Sequence, residues 1–382
     1  MKKNIQMVDL YGQYVTLKTE INHAISQVIN TSDFINGTQV RDFAINLSQY
    51  LDVKHVIPCG NGTDALQIAL MALNLPKGSE IIIPSFSFAA PAEVVALLGF
   101  TPVFADCDER TFNIDVSHVK KLITRKTSAI IPVHLFGQAA HLRPLLELAE
   151  EHSIPVIEDN AQSLGAKFSD GGFAGTVGQI GITSFFPSKN LGCMGDGGAL
   201  FTNDDELASR ISMISNHGQK IKYAHEIIGI NSRLDTIQAA VLNVKLKYLN
   251  HYLHKRQKAA KFYDKVLANC DAIKVPHRCD YSSHVFNQYT LIVEDQRDAL
   301  RNFLTLKGIP TMVYYPVPLH HQKAFQQYAP PVFLPVCQDL TDKVLSLPMH
   351  SELTEEQQTF ICENVLVGLD MLNIGKPYSS HF

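Results

Sequence analysis

The sequence has no tryptophan, no apolar run long enough to cross a bilayer and no pair of cysteines at metal-binding spacing. A membrane-spanning helix is therefore not expected, and the opening residues MKKNIQMVDLYGQY turn polar too soon for a secretion signal. The seven cysteines are an odd number without a CxxC motif or a Cys/His cluster, which argues against a disulfide framework and against a metal site. We expect a cytoplasmic protein whose thiols are reduced and mostly buried.

The chain also has no large excess of positive or negative charge. The chain has 33 basic and 37 acidic residues and a net charge of -4, which argues against nucleic acid and anionic membrane surfaces as partners. Its 382 residues are 46% hydrophobic and 18% charged, as is typical of a globular protein. This length favours one large and one smaller domain over a single core.

Residues 55 to 202 alternate between short apolar runs and helical patterns. The apolar runs are rich in Ile, Val and Phe, end at Pro, Gly or Asp, and predict strands; apolar residues at helical spacing lie between them. The alternation predicts an α/β fold with a mostly parallel sheet covered by helices on both faces. The predicted strands are EIIIPSF, TPVFADCD, SAIIPVHLFG, IPVIEDNAQ and GITSFFP, and the predicted helices are DALQIALMALNL, PAEVVALLGF and HLRPLLELAEEHS.

The pattern changes after NSRLDTIQAAVL. The long basic stretch NVKLKYLNHYLHKRQKAAKFYDKVLANC is helical throughout, shows no strand signal and predicts a connector that leads out of the first domain. Beyond it, NQYTLIVE, DQRDALRNFLTLKG, IPTMVYYPVP and TEEQQTFICENVLVGL predict a small α+β domain. We therefore predict a large domain at residues 1–245, with an N-terminal helical segment, and a smaller domain at residues 246–382.

One lysine stands directly after a predicted strand. In SFFPSKNLGCMGDGG, Lys189 follows an apolar run and precedes a glycine-rich turn. This position is the carboxyl edge of the predicted sheet, where open α/β sheets bind ligands. Most lysines that follow a strand are solvated surface residues, so the interpretation of Lys189 depends on its neighbours.

Two neighbouring motifs each allow a functional and a structural interpretation. CGNGTDALQIAL would point the amides of Gly62, Thr63 and Asp64 at an anion, or it is a plain helix start with Thr63 as the cap. VIEDNAQ ends a strand with Asp159, which would pair with a cation such as a protonated pyridine nitrogen, or would cap the next helix.

Phe88 and Ser184 also follow predicted strands. Phe88, in SFSFAAP, would be a flat platform for a planar ring, or part of the core. Ser184, at the end of GITS, would donate to a phosphate, or simply finish the strand. Taken together, an anion cradle, an aromatic platform, an acid for a ring nitrogen and an amine able to form an imine are the groups with which an enzyme holds pyridoxal phosphate.

The order of these motifs resembles the DegT/DnrJ/EryC1/StrS family of sugar aminotransferases, which are pyridoxal phosphate enzymes of the aspartate-aminotransferase fold, type I. The resemblance covers nearly the whole chain, from MVDLYGQYVTLKTEI through PCGNGTDAL, VIEDNAQSLGA, SFFPSKNLGCMGDGG and GINSRLD to YYPVPLH in the second predicted domain. It departs at Asn160, where many members have alanine, and at GNGT, where SGT is commoner. Neither departure removes a functional group.

The resemblance implies a role for each cofactor-facing position. Lys189 matches the lysine that forms the Schiff base, and Asp159 matches the acid paired with the pyridine nitrogen. Gln162 matches the residue beside the ring hydroxyl, and Phe88 matches the aromatic side chain stacked on the ring. The positions that match the family's phosphate site are Gly62, Thr63, Asp64 and Ser184.

Three further positions are implied to face a partner or a substrate. Asn231, in GINSRLD, matches an asparagine that reaches the phosphate of the neighbouring subunit's cofactor, so the resemblance implies a homodimer with two shared active sites. Arg233 and His320 match residues that face the sugar nucleotide.

The implied activity is a ping-pong transfer of an amino group from L-glutamate to a nucleotide-linked keto-sugar, with pyridoxamine phosphate as the second form of the cofactor. The product is an amino sugar nucleotide, for surface polysaccharide or for a glycosylated metabolite. YYPVPLH favours a 3-keto-sugar, 3-keto-hexuronates included. A 4-keto-6-deoxy sugar stays open, and so does the choice between uridine and thymidine diphosphate.

Other functions are possible on the same fold. Some members of the family are sugar dehydratases, in which a histidine replaces the lysine; the presence of Lys189 favours transamination. A non-catalytic regulatory protein is the second alternative, and the pair of Lys189 and Asp159 argues against it. A nicotinamide dehydrogenase is disfavoured because no GxGxxG motif follows the early strands.

Overall fold

The fold is a central sheet with helices on both faces, followed by a smaller sheet in the C-terminal part of the chain. The structure, a computed structural model, describes residues 5–328 and 332–372. The strands are β1 (His55–Cys59), β2 (Glu80–Pro84), β3 (Thr101–Ala105), β4 (Thr127–Ile130), β5 (Ile157–Asp159), β6 (Ile180–Ser184), β7 (Gly198–Thr202), β8 (Gln219–Ile221), β9 (Ala224–His225), β10 (Ile273–Lys274), β11 (Tyr289–Val293) and β12 (Val344–Leu347). The helices are α1 (Leu10–Thr31), α2 (Thr38–Leu51), α3 (Gly62–Leu73), α4 (Ala90–Leu97), α5 (Val116–Leu122), α6 (Leu142–Glu151), α7 (Asp205–Ser215), α8 (Thr236–Leu246), α9 (Leu249–Leu267), α10 (Arg297–Leu306), α11 (Pro335–Lys343) and α12 (Glu355–Met371).

The strands of the central sheet follow the order β1-β7-β6-β5-β4-β2-β3. β4 meets β5 through the parallel bridges Ile130–Val156 and Val133–Asp159, which join the two halves of the sheet. β7 runs antiparallel to both of its neighbours, and every other adjacent pair is parallel. The sheet is therefore mostly parallel, as the alternation of strand and helix patterns predicts.

Both faces of the sheet are covered because the strands are apolar on both sides. In β2, Ile81 and Ile83 pack with α3, α4 and α7 on one face. Ile82, between them, packs with α2, α5, α6 and α8 on the other face. Successive side chains of a strand point to opposite faces, so an uninterrupted apolar run such as EIIIP is the pattern of a doubly covered strand.

Two strands of the central sheet were not among the predicted strands. β7 is connected to β6 through the glycine-rich turn without a helix between them, so an alternation of strands and helices does not indicate it. β1 contains Pro58 and lies at the edge of the sheet. Proline weakens a strand pattern, and an edge strand is the place that tolerates it.

The long basic helix predicted at NVKLKYLNHYLHKRQKAAKFYDKVLANC is two helices, α8 and α9, with Lys247 and Tyr248 between them. The helical pattern continues through the break because neither residue is a helix breaker. α8 packs against α1 and α2 in the large core instead of leading out of it. α9 runs from this core, to which Leu253 belongs, to the core around β10, β11 and β12, to which Tyr263 belongs.

The C-terminal part of the chain has a core of its own and also returns to the central sheet. β10, β11 and β12 form an antiparallel sheet that packs with α9, α10 and α12, and Ile5 joins this core. Leu319, Phe325 and Leu340 pack instead on the core of the central sheet. The backbone N–H of Leu319 donates to the carbonyl of Ser85, 2.9 Å away, just past β2. The C-terminal residues thus reach the same sheet edge as Lys189.

Most of the cysteines are buried, as the sequence analysis expects. All seven cysteines are free thiols; those that are buried are Cys59, Cys107, Cys193, Cys337 and Cys362. No helix among residues 5–328 and 332–372 combines the length and the hydropathy that crossing a membrane requires.

Candidate active site at the carboxyl edge of the sheet

Lys189 lies in the turn that follows β6. Its backbone N–H donates to the carbonyl of Phe186 at 2.9 Å, and further along the turn the carbonyl of Gly192 accepts from the buried amine of Lys245. Burial lowers the pKa of the Lys189 amine, and the charge of Asp159 opposes this effect. At neutral pH a larger fraction of the amine is therefore unprotonated than in an exposed lysine, which makes it a better nucleophile and base.

Asp159 ends β5, the strand beside β6, and its side chain is 5% exposed. Burial raises the pKa of its carboxyl; the N–H of Ala161, 3.0 Å from Oδ1, and the charge of Lys189 lower it. No cationic side chain of the described residues forms an ion pair with it. Because a buried carboxylate is costly without a cation, Asp159 would suit a protonated ring nitrogen as its partner.

Glu158, on the opposite face of β5, belongs to a buried network that the sequence analysis did not anticipate. Its carboxylate accepts from three backbone N–H groups within residues 175–178, at 2.5–2.8 Å, and lies 2.8 Å from Nε2 of His134. The N–H of Ala140 donates to Nδ1 of His134, so the ring proton lies on Nε2. Burial would raise the pKa of Glu158, but His134 and these N–H groups hold it below its usual range.

We expect the variant Glu158→Gln to lower the free energy of unfolding by about 2–4 kcal/mol at neutral pH, because an amide cannot accept four hydrogen bonds and brings its own donors to them. The carboxylate stabilises the fold above the pKa of an unfolded glutamate, about 4.3. This stabilisation is lost as the pH falls through the lower pKa of the folded state. The difference between wild type and variant should therefore shrink below about pH 4 in urea unfolding measured across pH.

The matched control for this prediction is Glu147→Gln, on the exposed face of α6, which should unfold like the wild type. Equal unfolding midpoints of wild type and Glu158→Gln at neutral pH would contradict the stabilising network.

Helix α3 starts beside the end of β6 and presents free backbone amides there. Oδ1 of Asn61 accepts from the N–H of Asp64 at 2.8 Å, so Asn61 is the helix cap, and the interpretation of Thr63 as the cap is wrong. The N–H groups of Gly62 and Thr63 have no acceptor in the described part of the chain. A Cβ on Gly62 would lie 2.8 Å from Cβ of Ser184, so glycine is what lets the helix start approach β6. Free amides at a helix start favour an anion.

Asp64 is engaged with its own chain. The N–H of Asp64 donates to Oδ1 of Asn61, as described above. The carboxylate of Asp64 accepts from Oγ of Ser232 at 2.6 Å. The same Oγ accepts from the N–H of Gly60 at 2.9 Å. Asp64 therefore holds the glycine-rich turn against the segment that carries Arg233.

Gln162 is buried and is held by two hydrogen bonds. Its Oε1 accepts from the N–H of Phe136 at 2.9 Å, and its Nε2 donates to the hydroxyl of Tyr315 at 3.1 Å. Sequence reasoning did not single out Tyr315; the only signal was its place in YYPVPLH. Phe88 follows β2 at the same sheet edge, and its ring is 58% exposed.

The three remaining predicted residues differ in burial. Asn231 is exposed and pairs through its backbone with Asn216. Arg233 is half-buried, and one of its guanidinium N–H groups donates to Oδ1 of Asn216 at 3.5 Å. His320 is buried, with Nδ1 2.6 Å from Oγ of Ser85 and no partner for Nε2 in the described residues. Burial lowers the pKa of His320 to about 4, so at neutral pH its ring offers a hydrogen bond and no charge.

These groups fit one kind of cofactor. A protonated pyridine satisfies the carboxylate of Asp159, an aldehyde on the ring suits the low-pKa amine of Lys189, and a phosphate suits the free amides of Gly62 and Thr63. Fold and site therefore define a pyridoxal phosphate enzyme. The model of the DegT/DnrJ/EryC1/StrS aminotransferase family matches residues 15–366, and the chain belongs to this family.

Named relatives align with nearly the whole chain. The "Pleiotropic regulatory protein" of Geobacillus stearothermophilus is 45% identical, over 95% of this chain and 98% of its own. The UDP-2-acetamido-2-deoxy-3-oxo-D-glucuronate aminotransferase of Pseudomonas aeruginosa is 43% identical, over 94% and 98%. The UDP-N-acetyl-3-dehydro-α-D-glucosamine 3-aminotransferase of Acidithiobacillus ferrooxidans is 41% identical, over 92% and 95%.

Solved structures show the same fold. A DegT DnrJ EryC1 StrS aminotransferase from Brucella abortus superposes with a TM-score of 0.91 at 41% identity, over 97% of this chain and 100% of that chain. NtdA from Bacillus subtilis, solved with bound pyridoxamine phosphate, superposes with a TM-score of 0.88 at 31% identity, over 95% and 83%. These findings confirm the predicted fold class, the type I fold of pyridoxal phosphate transferases, and the predicted cofactor.

Proposed function

We propose that this chain transfers an amino group from L-glutamate to a nucleotide-linked 3-keto-sugar by a ping-pong mechanism and so makes an amino sugar nucleotide. The observation that carries the proposal is the amine of Lys189, half-buried with a lowered pKa, beside the buried and unpaired carboxylate of Asp159. Support for a 3-keto-sugar comes from the relatives at 43% and 41% identity, whose names specify 3-oxo and 3-dehydro sugars. A 4-keto-sugar is the alternative substrate.

The residues around the pyridine ring of the cofactor have different roles. Pyridoxal phosphate, when bound, carries the amino group from the donor to the acceptor. Lys189 binds its aldehyde and, once released, moves a proton between the cofactor carbon and the substrate carbon. Asp159 keeps the ring nitrogen protonated, Gln162 fixes the ring through its hydroxyl, and Phe88 covers one face of it.

The residues around the phosphate and the sugar nucleotide complete the proposed site. The amides of Gly62 and Thr63 and the hydroxyl of Ser184 hold the phosphate, while Asp64 keeps the turn in place. We assign Asn231 to the phosphate in a neighbouring subunit, which makes the functional unit a homodimer. Arg233 and His320 face the sugar nucleotide, His320 through its unpartnered Nε2.

We also propose that the chain divides into a large domain at residues 1–245 and a small domain at residues 246–382. The separate core around β10, β11 and β12 supports this division. Leu319 and Leu340, in the proposed small domain, pack on the core of the central sheet, and this packing supports the assignment of His320 to the site.

A regulatory protein is the second candidate function. Its support is the name of the relative that is 45% identical. Against it, Lys189 and Asp159 are both present, and a buried amine of lowered pKa beside a buried carboxylate without an ion-pair partner is typical of catalytic sites.

The test of the proposed function is turnover of defined acceptors. The protein loaded with pyridoxal phosphate is incubated with L-glutamate and with UDP- and dTDP-linked 3-keto- and 4-keto-sugars, and products are followed by mass spectrometry. We expect an amino sugar nucleotide and 2-oxoglutarate in equal amounts, with the 3-keto-sugars turned over faster. Turnover of the 4-keto-sugars alone would overturn the 3-keto assignment. A protein that holds its cofactor but turns over none of them would support the regulatory function.

A further inference from the structure

Two buried thiols meet where the C-terminal part of the chain lies on the central sheet. Cys107 follows the end of β3, and Cys337 lies in the first turn of α11. Their sulfur atoms are 3.5 Å apart, and the two residues are 2% and 0% exposed. The contact spans 230 positions of the chain, so it joins β3 to a distant segment.

Asp106 holds the backbones of both cysteines at this place. Its Oδ1 accepts from the N–H of Cys107 at 3.0 Å and from the N–H of Cys337 at 2.8 Å. Because both amides donate to one oxygen atom, the two backbones are held close together, as a disulfide requires. The sulfur atoms would have to approach by about 1.5 Å to reach the bonded distance of about 2 Å, which rotation of the two side chains can supply.

The thiols lie in the contact region that also includes His320. In β3, the ring centre of Phe104 is 6.1 Å from that of Phe325 and 6.5 Å from that of His320. Cys107 and Cys337 belong to the same buried core as Phe104 and Phe325. A bond between the thiols would therefore fasten the C-terminal part of the chain to β3 near His320.

A metal ion is the alternative occupant, because Asp106, Cys107 and Cys337 bring three possible ligand atoms within 4.8 Å of one another. The carboxylate of Asp106 already accepts from three N–H groups, two of them at the start of α11, where the helix dipole disfavours a cation. Burial raises the pKa of the Cys337 thiol, and its hydrogen bond to Cys107 adds to this effect. Cys337 is therefore protonated at neutral pH, whereas a metal binds the thiolate. The arrangement suits a disulfide better than a metal.

We propose that Cys107 and Cys337 form a reversible disulfide when the protein meets a peroxide. Hydrogen peroxide, which is small enough for a buried site, transfers an oxygen atom to one thiol and leaves as water, so that this thiol becomes a sulfenic acid. The second sulfur then bonds to the first and displaces its hydroxyl group, which leaves as water with the proton of the second thiol. The thiols lose two electrons and the peroxide gains them; a dithiol reverses the change. The proposal does not depend on the reaction that the chain catalyses.

The test is a peptide map of the wild-type protein, loaded with pyridoxal phosphate and treated with hydrogen peroxide. Free thiols are alkylated in denaturant, and the tryptic peptides are analysed by mass spectrometry without reduction. We expect one linked pair of peptides that contains Cys107 and Cys337 and is lighter by two hydrogen atoms than the separate peptides. Treatment with dithiothreitol before alkylation should restore both free thiols. Cys270 and Cys279, which are only half-buried, show in the same map whether the peroxide has acted.

Thermal melts measure what the bond does to the fold. A disulfide that closes so long a loop should raise the melting temperature by about 3–5 °C relative to the same protein kept in dithiothreitol. Cys337→Ala should lose this difference. The matched control is Cys362→Ala, at a buried cysteine of the core around β10, β11 and β12, which should keep it.

A map in which Cys270 and Cys279 are oxidised while Cys107 and Cys337 are both still alkylated would overturn the proposal. Stoichiometric zinc in the wild type that is lost in Cys337→Ala would also overturn it, in favour of a metal site. Should Cys337→Ala not fold, the peptide map of the wild type alone decides.

Discussion

The variant Lys189→Ala is expected to lose transamination by at least about 10⁴-fold, because it removes both the nucleophile for the cofactor aldehyde and the base that moves the proton. Lys189 is half-buried, burial lowers the pKa of its amine, and it lies in the turn after β6, where the charge of Asp159 acts on it. The measurement is the initial rate of 2-oxoglutarate formation from L-glutamate with a keto-sugar acceptor.

Two control variants separate the chemistry of Lys189 from its charge. Lys189→Arg keeps a positive charge near Asp159, but a guanidinium does not lose its proton at neutral pH and forms no imine with the cofactor. It should be as inactive as the alanine variant. Lys77→Ala, at an exposed lysine after α3, should keep the wild-type rate. A Lys189→Arg variant with more than about a tenth of the wild-type rate would show that the charge alone matters.

The variant Asp159→Asn is expected to lower the rate of the half-reaction with L-glutamate by about 10²–10⁴-fold. The amide cannot keep a proton on the ring nitrogen, so the ring no longer accepts the negative charge that develops when the substrate carbon gives up its proton. The side chain has the same size, and Oδ1 can still accept from the N–H of Ala161. The fold should therefore be preserved, and the loss should appear in the rate.

Single-turnover kinetics with L-glutamate measure this effect without the keto-sugar. Asp159→Glu restores the charge at a shifted position and should recover part of the rate. An Asp159→Asn variant within about threefold of the wild type would contradict the pairing of Asp159 with the ring nitrogen.

The parts of this fold that follow from local pattern could be predicted. The uninterrupted run Ile81–Ile83 indicates a strand with two covered faces, and those residues pack into two different cores. Asp159 ends β5 and Lys189 lies in the turn after β6, so both are at one edge of the sheet because adjacent parallel strands end at the same edge. Periodicity and strand ends depend on residues that are neighbours in the chain, so they can be recognised in a single sequence.

The remaining parts depend on contacts between distant residues. The hydrogen bond of Gln162 to Tyr315 spans 153 positions of the chain, and no spacing rule indicates it. Glu158 and Asp159 look alike in the sequence, and only the fold shows that Glu158 is satisfied by His134 while Asp159 is left without a cation. That Asn61 rather than Thr63 caps α3 is equally a matter of geometry, because both residues are good caps.

The most direct test of the central claim is the absorption spectrum of the wild-type protein loaded with pyridoxal phosphate, before and after addition of L-glutamate. We expect a visible band from the cofactor joined to Lys189 and its conversion by L-glutamate to the near-ultraviolet band of the amine form. Lys189→Ala should show neither the band nor the conversion. A wild-type protein without the visible band after loading would contradict the assignment of Lys189 and leave the regulatory function as the better account.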